Sequence, residues 1–268
     1  MTRGFLEEIT AALRVELASG GYARGVGAAP AGPRPSLRAA VQGGRRGGTL
    51  LVEYKRASPG RDPPELPRRT VAEFVRSTDL PEVAGYSCLA TRPGFDGAPA
   101  QVAELAASTP RPVLYKEFVL GSTQVRVAAA TGASAVLLIA RLERAGLLDQ
   151  PLETLAGEAH ALGLEVLLEL HAPEELDLVG ATKPDLVGVN VRDLDTLKFE
   201  RARALATLRK AHAAGIAPLV GLSGVDGPAE AGPFWEAGCD ALLVGSAVAL
   251  ARDPAAFLRS LCRGGGVP

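Results

Sequence analysis

The chain has 268 residues, 47% of them hydrophobic, enough to bury a large core and too apolar for a disordered chain. Its 29 Lys+Arg nearly balance 30 Asp+Glu, which argues against a nucleic-acid or acidic-membrane binder held by bulk charge. Three widely spaced cysteines (Cys88, Cys239 and Cys262) form no C-x-x-C pair, so they speak against a disulfide framework or a zinc cage.

No run is long and apolar enough to span a membrane, and the start of the chain carries Glu7 and Glu8 where a leader would be apolar. A cytoplasmic home is expected. Residues 4–18 place apolar and charged side chains at helical spacing and predict an amphipathic helix. A Gly/Pro/Ala-rich loop over roughly 20–35 follows, and GGRRGG at 43–48 is a turn without the Gly-Lys-Ser/Thr of a P-loop.

From there a two-beat pattern repeats. Short apolar runs at 49–54, 84–90, 112–118, 133–139, 164–170, 185–190, 217–222 and 240–245 alternate with stretches of helical spacing such as 149–162, 200–214 and 226–238. Val- and Leu-rich strands alternating with helices pair in parallel through βαβ units, and eight such units close into a (β/α)8 TIM barrel. An open doubly wound sheet is the weaker alternative. The expected domain plan is one barrel over 1–268, with 1–47 an N-terminal helical extension and loop.

In a parallel barrel the active site lies at the carboxyl ends of the strands, so each strand end carries the argument. Side chains alternate along a strand, which sets Glu53 and Lys55 on the face of Leu51. The third strand brings Lys116 and Phe118 to one face, the fifth brings Glu169, and the sixth Asn190 and Arg192. Taken singly, each is more simply a solvated charge. Together they sit at four strand ends, and only five of the 29 cations in the chain are lysines. Strands seven and eight end on Ser223-Gly224 and Gly245-Ser246, small residues that let backbone approach a phosphate, although glycine corners also serve as plain connections. The assembly suits a singly phosphorylated small molecule with proton transfer by lysine and carboxylate, or a Schiff base on Lys55 or Lys116. Phe118 suits an aromatic ring and Arg192 a carboxylate. No metal cage, dinucleotide fingerprint or other cofactor site is expected. Trp235 is read as packing, and His160 and His212 are given no role. His171 is read either as support for Glu169 or as a solvated loop residue.

These residues resemble the indole-3-glycerol phosphate synthase family over nearly the whole chain. The likeness is carried by VEYKRASPG (52–60), YKEF (115–118), LLEL (167–170), VGVNVRDL (187–194), SG (223–224) and VGSA (244–247). It implies a carboxy-lyase that cyclises, decarboxylates and dehydrates 1-(2-carboxyphenylamino)-1-deoxyribulose 5-phosphate to indole-3-glycerol phosphate in tryptophan biosynthesis. By position, the resemblance makes Lys116 the general acid at ring closure and Lys55 a phosphate-side group that assists loss of water. Glu169 becomes a proton donor or acceptor, Glu53 and Asn190 hold these groups, and Arg192 places the anthranilate end. Ser223, Gly224, Gly245 and Ser246 hold phosphate, with Ser58 near the substrate.

Two departures from the family stand out. After the second strand the usual acidic-Lys-Tyr-Phe turn is replaced by ATRPGFDGA, which keeps Phe95 and Gly97. Where strand seven of the family ends on Glu-Ser-Gly, this chain has Leu222-Ser223-Gly224. By parity Leu222 points into the barrel mouth, which leaves three readings open: a slower synthase, a paralogue acting on a different aryl-amino sugar phosphate, or a phosphate binder with reduced or no chemistry. Asp226 and Glu53 are the carboxylates to consider as stand-ins for the lost one. A phosphoribosyl isomerase is disfavoured, because it would show an Asp–Asp or Cys–Asp pair at the strand ends. A monomer or weak dimer is expected, since no exposed apolar stripe stands out.

Overall fold

The computed structural model describes residues 4–27, 32–60 and 62–262. Eight parallel strands close into a barrel in the order β1-β2-β3-β4-β5-β6-β7-β8. They run Leu50–Tyr54 (β1), Val83–Leu89 (β2), Val113–Lys116 (β3), Ala135–Ile139 (β4), Glu165–Leu170 (β5), Leu186–Asn190 (β6), Leu219–Leu222 (β7) and Ala241–Val244 (β8). All eight expected strands are present, most of them trimmed by a residue or two. The expected helix at the start is α1, Phe5–Ala18, and the helical stretches at 149–162, 200–214 and 226–238 appear as Leu152–Ala161, Arg201–Ala213 and Pro228–Glu236.

Strand parity divides the core into two layers. Leu50, Val52 and Tyr54 of β1 join Val136 and Leu138 of β4 and Val166, Leu168 and Leu170 of β5 in the layer beneath the surrounding helices. Leu51, Leu114, Leu137, Leu167, Val220 and Leu243 fill the barrel interior instead. The inward positions turn polar at the carboxyl ends, where Glu53, Lys116 and Glu169 follow Leu51, Leu114 and Leu167 by two residues and Asn190 follows the interior Leu186 by four.

The N-terminal extension closes the barrel at both ends. Leu6, Ile9 and Leu13 of α1 belong to the same apolar cluster as the barrel interior. The helix is pinned over the carboxyl-end loops: Phe5 N–H donates to Asp195 O at 3.4 Å, Arg14 pairs with Asp149 at 2.5 Å, and Arg92 pairs with Glu16 at 2.9 Å. A second helix, α2 (Leu37–Gln42), was not evident in the sequence, being only six residues long; the Ser36 hydroxyl caps it by accepting from Ala39 N–H. It lies at the opposite mouth. Arg38 N–H donates to Glu165 at the first residue of β5, and Arg34 donates to the carbonyls of Leu162 and Ala129. Leu37 and Val41 plug the barrel from below. Part of the expected 20–35 loop, residues 28–31, lies outside the described residues.

Candidate active site

The polar strand ends open into a cavity of about 360 Å³ at the carboxyl face, within the usual range for small-ligand sites. Glu53 is its electrostatic centre. Its carboxylate is 4% exposed; Oε1 lies 2.9 Å from Lys55 Nζ and Oε2 lies 4.0 Å from Lys116 Nζ. Lys116 also stands 4.0 Å from Oε2 of Glu169. Two lysines and two carboxylates, contributed by β1, β3 and β5, thus form one chain of alternating charge. Burial by itself would push the Glu169 carboxyl upward. The Lys116 charge, with His171 and the amide of Asn190, outweighs burial and holds it at about 2, so Glu169 is an anion at neutral pH. Asn190 Nδ2 donates to Glu169 Oε1 at 3.0 Å, while its Oδ1 accepts from Arg192 N–H at 2.9 Å.

One end of the cavity is aromatic. Phe118 follows β3, Phe95 belongs to the loop after β2, and Phe5 comes from α1; ring centroids are 6.1 Å apart for Phe95–Phe118 and 6.4 Å for Phe5–Phe95. Sequence reasoning found Phe95 and Phe118 but not Phe5, because nothing local in a helical pattern says that its first residue reaches a site on the barrel.

The other end is built from small residues and hydroxyls. Ser246 Oγ donates to Ser58 Oγ at 3.3 Å, which joins the β8 turn to the β1 loop. A side chain on Gly245 would meet Glu53 Oε1 at 2.8 Å and Lys55 Cε at 3.1 Å, so anything larger than glycine would displace both charged groups. After β7, Ser223 (φ 66°) and Gly224 (φ 69°) both adopt the left-handed conformation, which a non-glycine residue such as Ser223 holds only when its surroundings dictate it. Arg192 lies on this side: Nη1 donates to Pro59 O at 3.1 Å, and the guanidinium covers the ring of Phe199 at 4.7 Å. Phe199, absent from the sequence reading, also packs 3.4 Å from where a side chain on Gly224 would lie.

One expectation needs correction, and one choice left open is decided. Leu222 points inward, but it is 1% exposed and is not among the residues lining the cavity. It packs below the mouth, in the slot left by Gly188, whose missing side chain would meet Leu222 Cδ1 and Leu167 Cδ2 at 2.8 Å. His171 is no solvated loop residue: it is buried beside Glu169. Of the groups considered as stand-ins for the lost carboxylate, Glu53 contacts both lysines, while Asp226 is exposed on the cavity rim. Among the described residues, no group of three or more His, Cys, Asp and Glu could hold a metal ion. None of their helices is long and apolar enough to cross a membrane.

A (β/α)8 barrel with a lysine–carboxylate chain between an aromatic end and a glycine–serine end defines a class of small-molecule enzyme site. The comparisons give the family. The model of indole-3-glycerol phosphate synthase matches residues 12–261, and the chain belongs to that family. An indole-3-glycerol phosphate synthase of Methanopyrus kandleri is 37% identical over 231 residues, covering 86% of this chain and 88% of that protein. One from Aromatoleum aromaticum is 34% identical, covering 96% and 98%. A thiamine phosphate pyrophosphorylase from Pyrococcus furiosus, with a TM-score of 0.55, 19% identity and 81% and 94% coverage, shares the fold.

Proposed function

We propose that the protein is an indole-3-glycerol phosphate synthase, a carboxy-lyase that acts on 1-(2-carboxyphenylamino)-1-deoxyribulose 5-phosphate. The observation that carries this reading is the bipolar cavity. Phenyl rings stand at one end, hydroxyls and close-approach glycines at the other, with Lys116 and Lys55 between them on a shared Glu53. An aryl-amino sugar phosphate has the same order of parts.

In this reading the aryl ring lies against Phe118 and Phe95, which sets the carbonyl near Lys116. Lys116 donates a proton to that carbonyl oxygen as the ring carbon attacks, so no alkoxide builds up in a poorly solvated site. Loss of CO2 restores the aromatic ring. Glu169 rests as the anion, so it enters the reaction as a proton acceptor. Lys55, next to Gly245 and near the Ser58–Ser246 pair, serves the phosphate side and protonates the departing hydroxyl. The products are indole-3-glycerol phosphate, CO2 and water. Phosphate is held by Ser223, Gly224, Gly245, Ser246 and Ser58. Arg192 belongs to this end too, because its guanidinium lies against the β1 loop and Phe199; this differs from the anthranilate-end role that the resemblance implies. The protein acts as one barrel unit over 1–268 with its extension at 1–47, as a monomer or weak dimer in the cytoplasm, in tryptophan biosynthesis. Incubating the purified protein with the carboxyphenylamino substrate tests the reading: an indole absorbance should grow in, and an unchanged spectrum would contradict it.

A further inference from the structure

Glu169 has a neighbour that the reaction scheme leaves unused. His171 follows it by two residues, so strand parity sends both side chains to the same side. The imidazole is buried and does not line the cavity. Its Nε2 lies 3.2 Å from Glu169 Oε1, and its Nδ1 lies 4.0 Å from Glu175 Oε2. Neither ring nitrogen has a hydrogen-bond partner, an unusual state for a buried polar ring. Glu175 cannot swing away to relieve it, because its Oε2 already accepts the backbone N–H of His171 at 2.5 Å and of Ala172 at 3.3 Å. The ring is therefore held between a fixed carboxylate and a reactive one.

The two oxygens of Glu169 are treated differently. Oε1 takes the Asn190 amide at 3.0 Å and faces His171. Oε2 has no hydrogen-bond partner and faces Lys116 at 4.0 Å. A carboxylate free to rotate would exchange these roles.

We propose that His171 is a positioning residue for the reaction: with Asn190 it fixes Oε1 of Glu169, so that Oε2 is the oxygen presented to Lys116 and the substrate. Asn190 supplies a hydrogen bond from β6 and the His171 ring a close approach at 3.2 Å from the end of β5, and two such contacts from different strands set the plane of the carboxyl group. The inference rests on the synthase reading. It adds that the orientation of Glu169, and not only its charge, limits turnover.

The test compares His171→Gln with His171→Asn. The amide nitrogen of glutamine reaches the place of Nε2, whereas that of asparagine reaches only the place of Nδ1. H171N should lose roughly tenfold to hundredfold in kcat with KM little changed, because the lost interaction matters in the transition state. H171Q should recover most of that loss. Two wild-type-like variants would overturn the proposal, and so would equal losses in both that track a fall in melting temperature. Absence of turnover in the wild type would sink the synthase reading instead, and the proposal then rests on a second measurement. The chain has three histidines, so ¹⁵N-histidine NMR resolves each ring. Glu169→Gln should move the His171 ring resonances and leave those of His160 and His212 in place; an unmoved His171 would overturn the contact itself.

Discussion

Lys116 touches neither carboxylate closely, standing 4.0 Å from both Glu53 and Glu169. That spacing leaves its ammonium freer to meet a substrate oxygen than that of Lys55, which stands 2.9 Å from Glu53. Lys116→Met should therefore lower kcat by about 10²–10⁴ and leave KM largely unchanged, as read from steady-state kinetics. Gly245→Ala should behave differently. Its new methyl would press on Glu53 Oε1 and Lys55 Cε, so KM should rise and inorganic phosphate should inhibit less strongly than in the wild type. A kcat loss with unchanged KM would argue against a phosphate-side role. Leu222→Glu would place a charge in a slot walled by Gly188 and Leu167. It should cost about 3 kcal/mol in urea unfolding without raising kcat; a large rise in kcat would show that the missing strand-seven carboxylate limits the enzyme. Much of the site was legible at this scale, since strand parity alone assigns Glu53, Lys116, Glu169 and Asn190 to the inner face. The depth of Leu222 was not legible. Parity tells which way a side chain points, and only the glycine on the next strand tells how far down it can settle.

The elements are joined by another buried carboxylate, Glu117. Glu117 follows β3 and faces away from Lys116. It accepts from the Thr91 hydroxyl in the loop after β2, from Phe118 N–H at 2.8 Å, and from Tyr22 OH at 3.0 Å; Tyr22 OH also meets Tyr115 OH at 2.6 Å. One carboxyl group thus ties the N-terminal extension and the β2 loop to the strand that carries Lys116. Burial drives its pKa up, only partly offset by the three donors, to about 7. A carboxyl group raised on folding binds its proton more tightly in the native state, so the contribution of Glu117 to stability is greatest below the unfolded pKa of 4.5 and falls as pH rises to about 7. The total change is up to about 3 kcal/mol. Glu117→Gln should flatten this slope in urea unfolding between those pH values; an unchanged slope would remove Glu117 as its cause. The sequence shows YKEF as a motif but not this role, because Tyr22 is separated from Tyr115 by 93 residues. Likewise α1 is legible from its periodicity, while its position over the barrel mouth is a tertiary fact with no local signal.

At the scale of the molecule, polarity runs along the barrel axis. Leu37 and Val41 seal one mouth, leucines and valines fill the middle, and the inward charges Glu53, Lys116 and Glu169 gather at the carboxyl ends beneath α1. Among the described residues, large exposed apolar side chains are scattered singly: Val15, Leu162, Phe199 and Leu250. Such scatter fits the proposed monomer or weak dimer, and a sedimentation run that shows a tight dimer at micromolar concentration would contradict it. The barrel itself was readable because eight apolar runs alternate with helical stretches. The most direct measurement of the central claim follows CO2 release and indole formation together in the wild type with 1-(2-carboxyphenylamino)-1-deoxyribulose 5-phosphate. One CO2 per indole-3-glycerol phosphate is the result expected of a synthase whose lysines and Glu169 suffice without a carboxylate at position 222. Substrate that binds but yields neither product would contradict it and leave a phosphate-binding relative that has lost the chemistry.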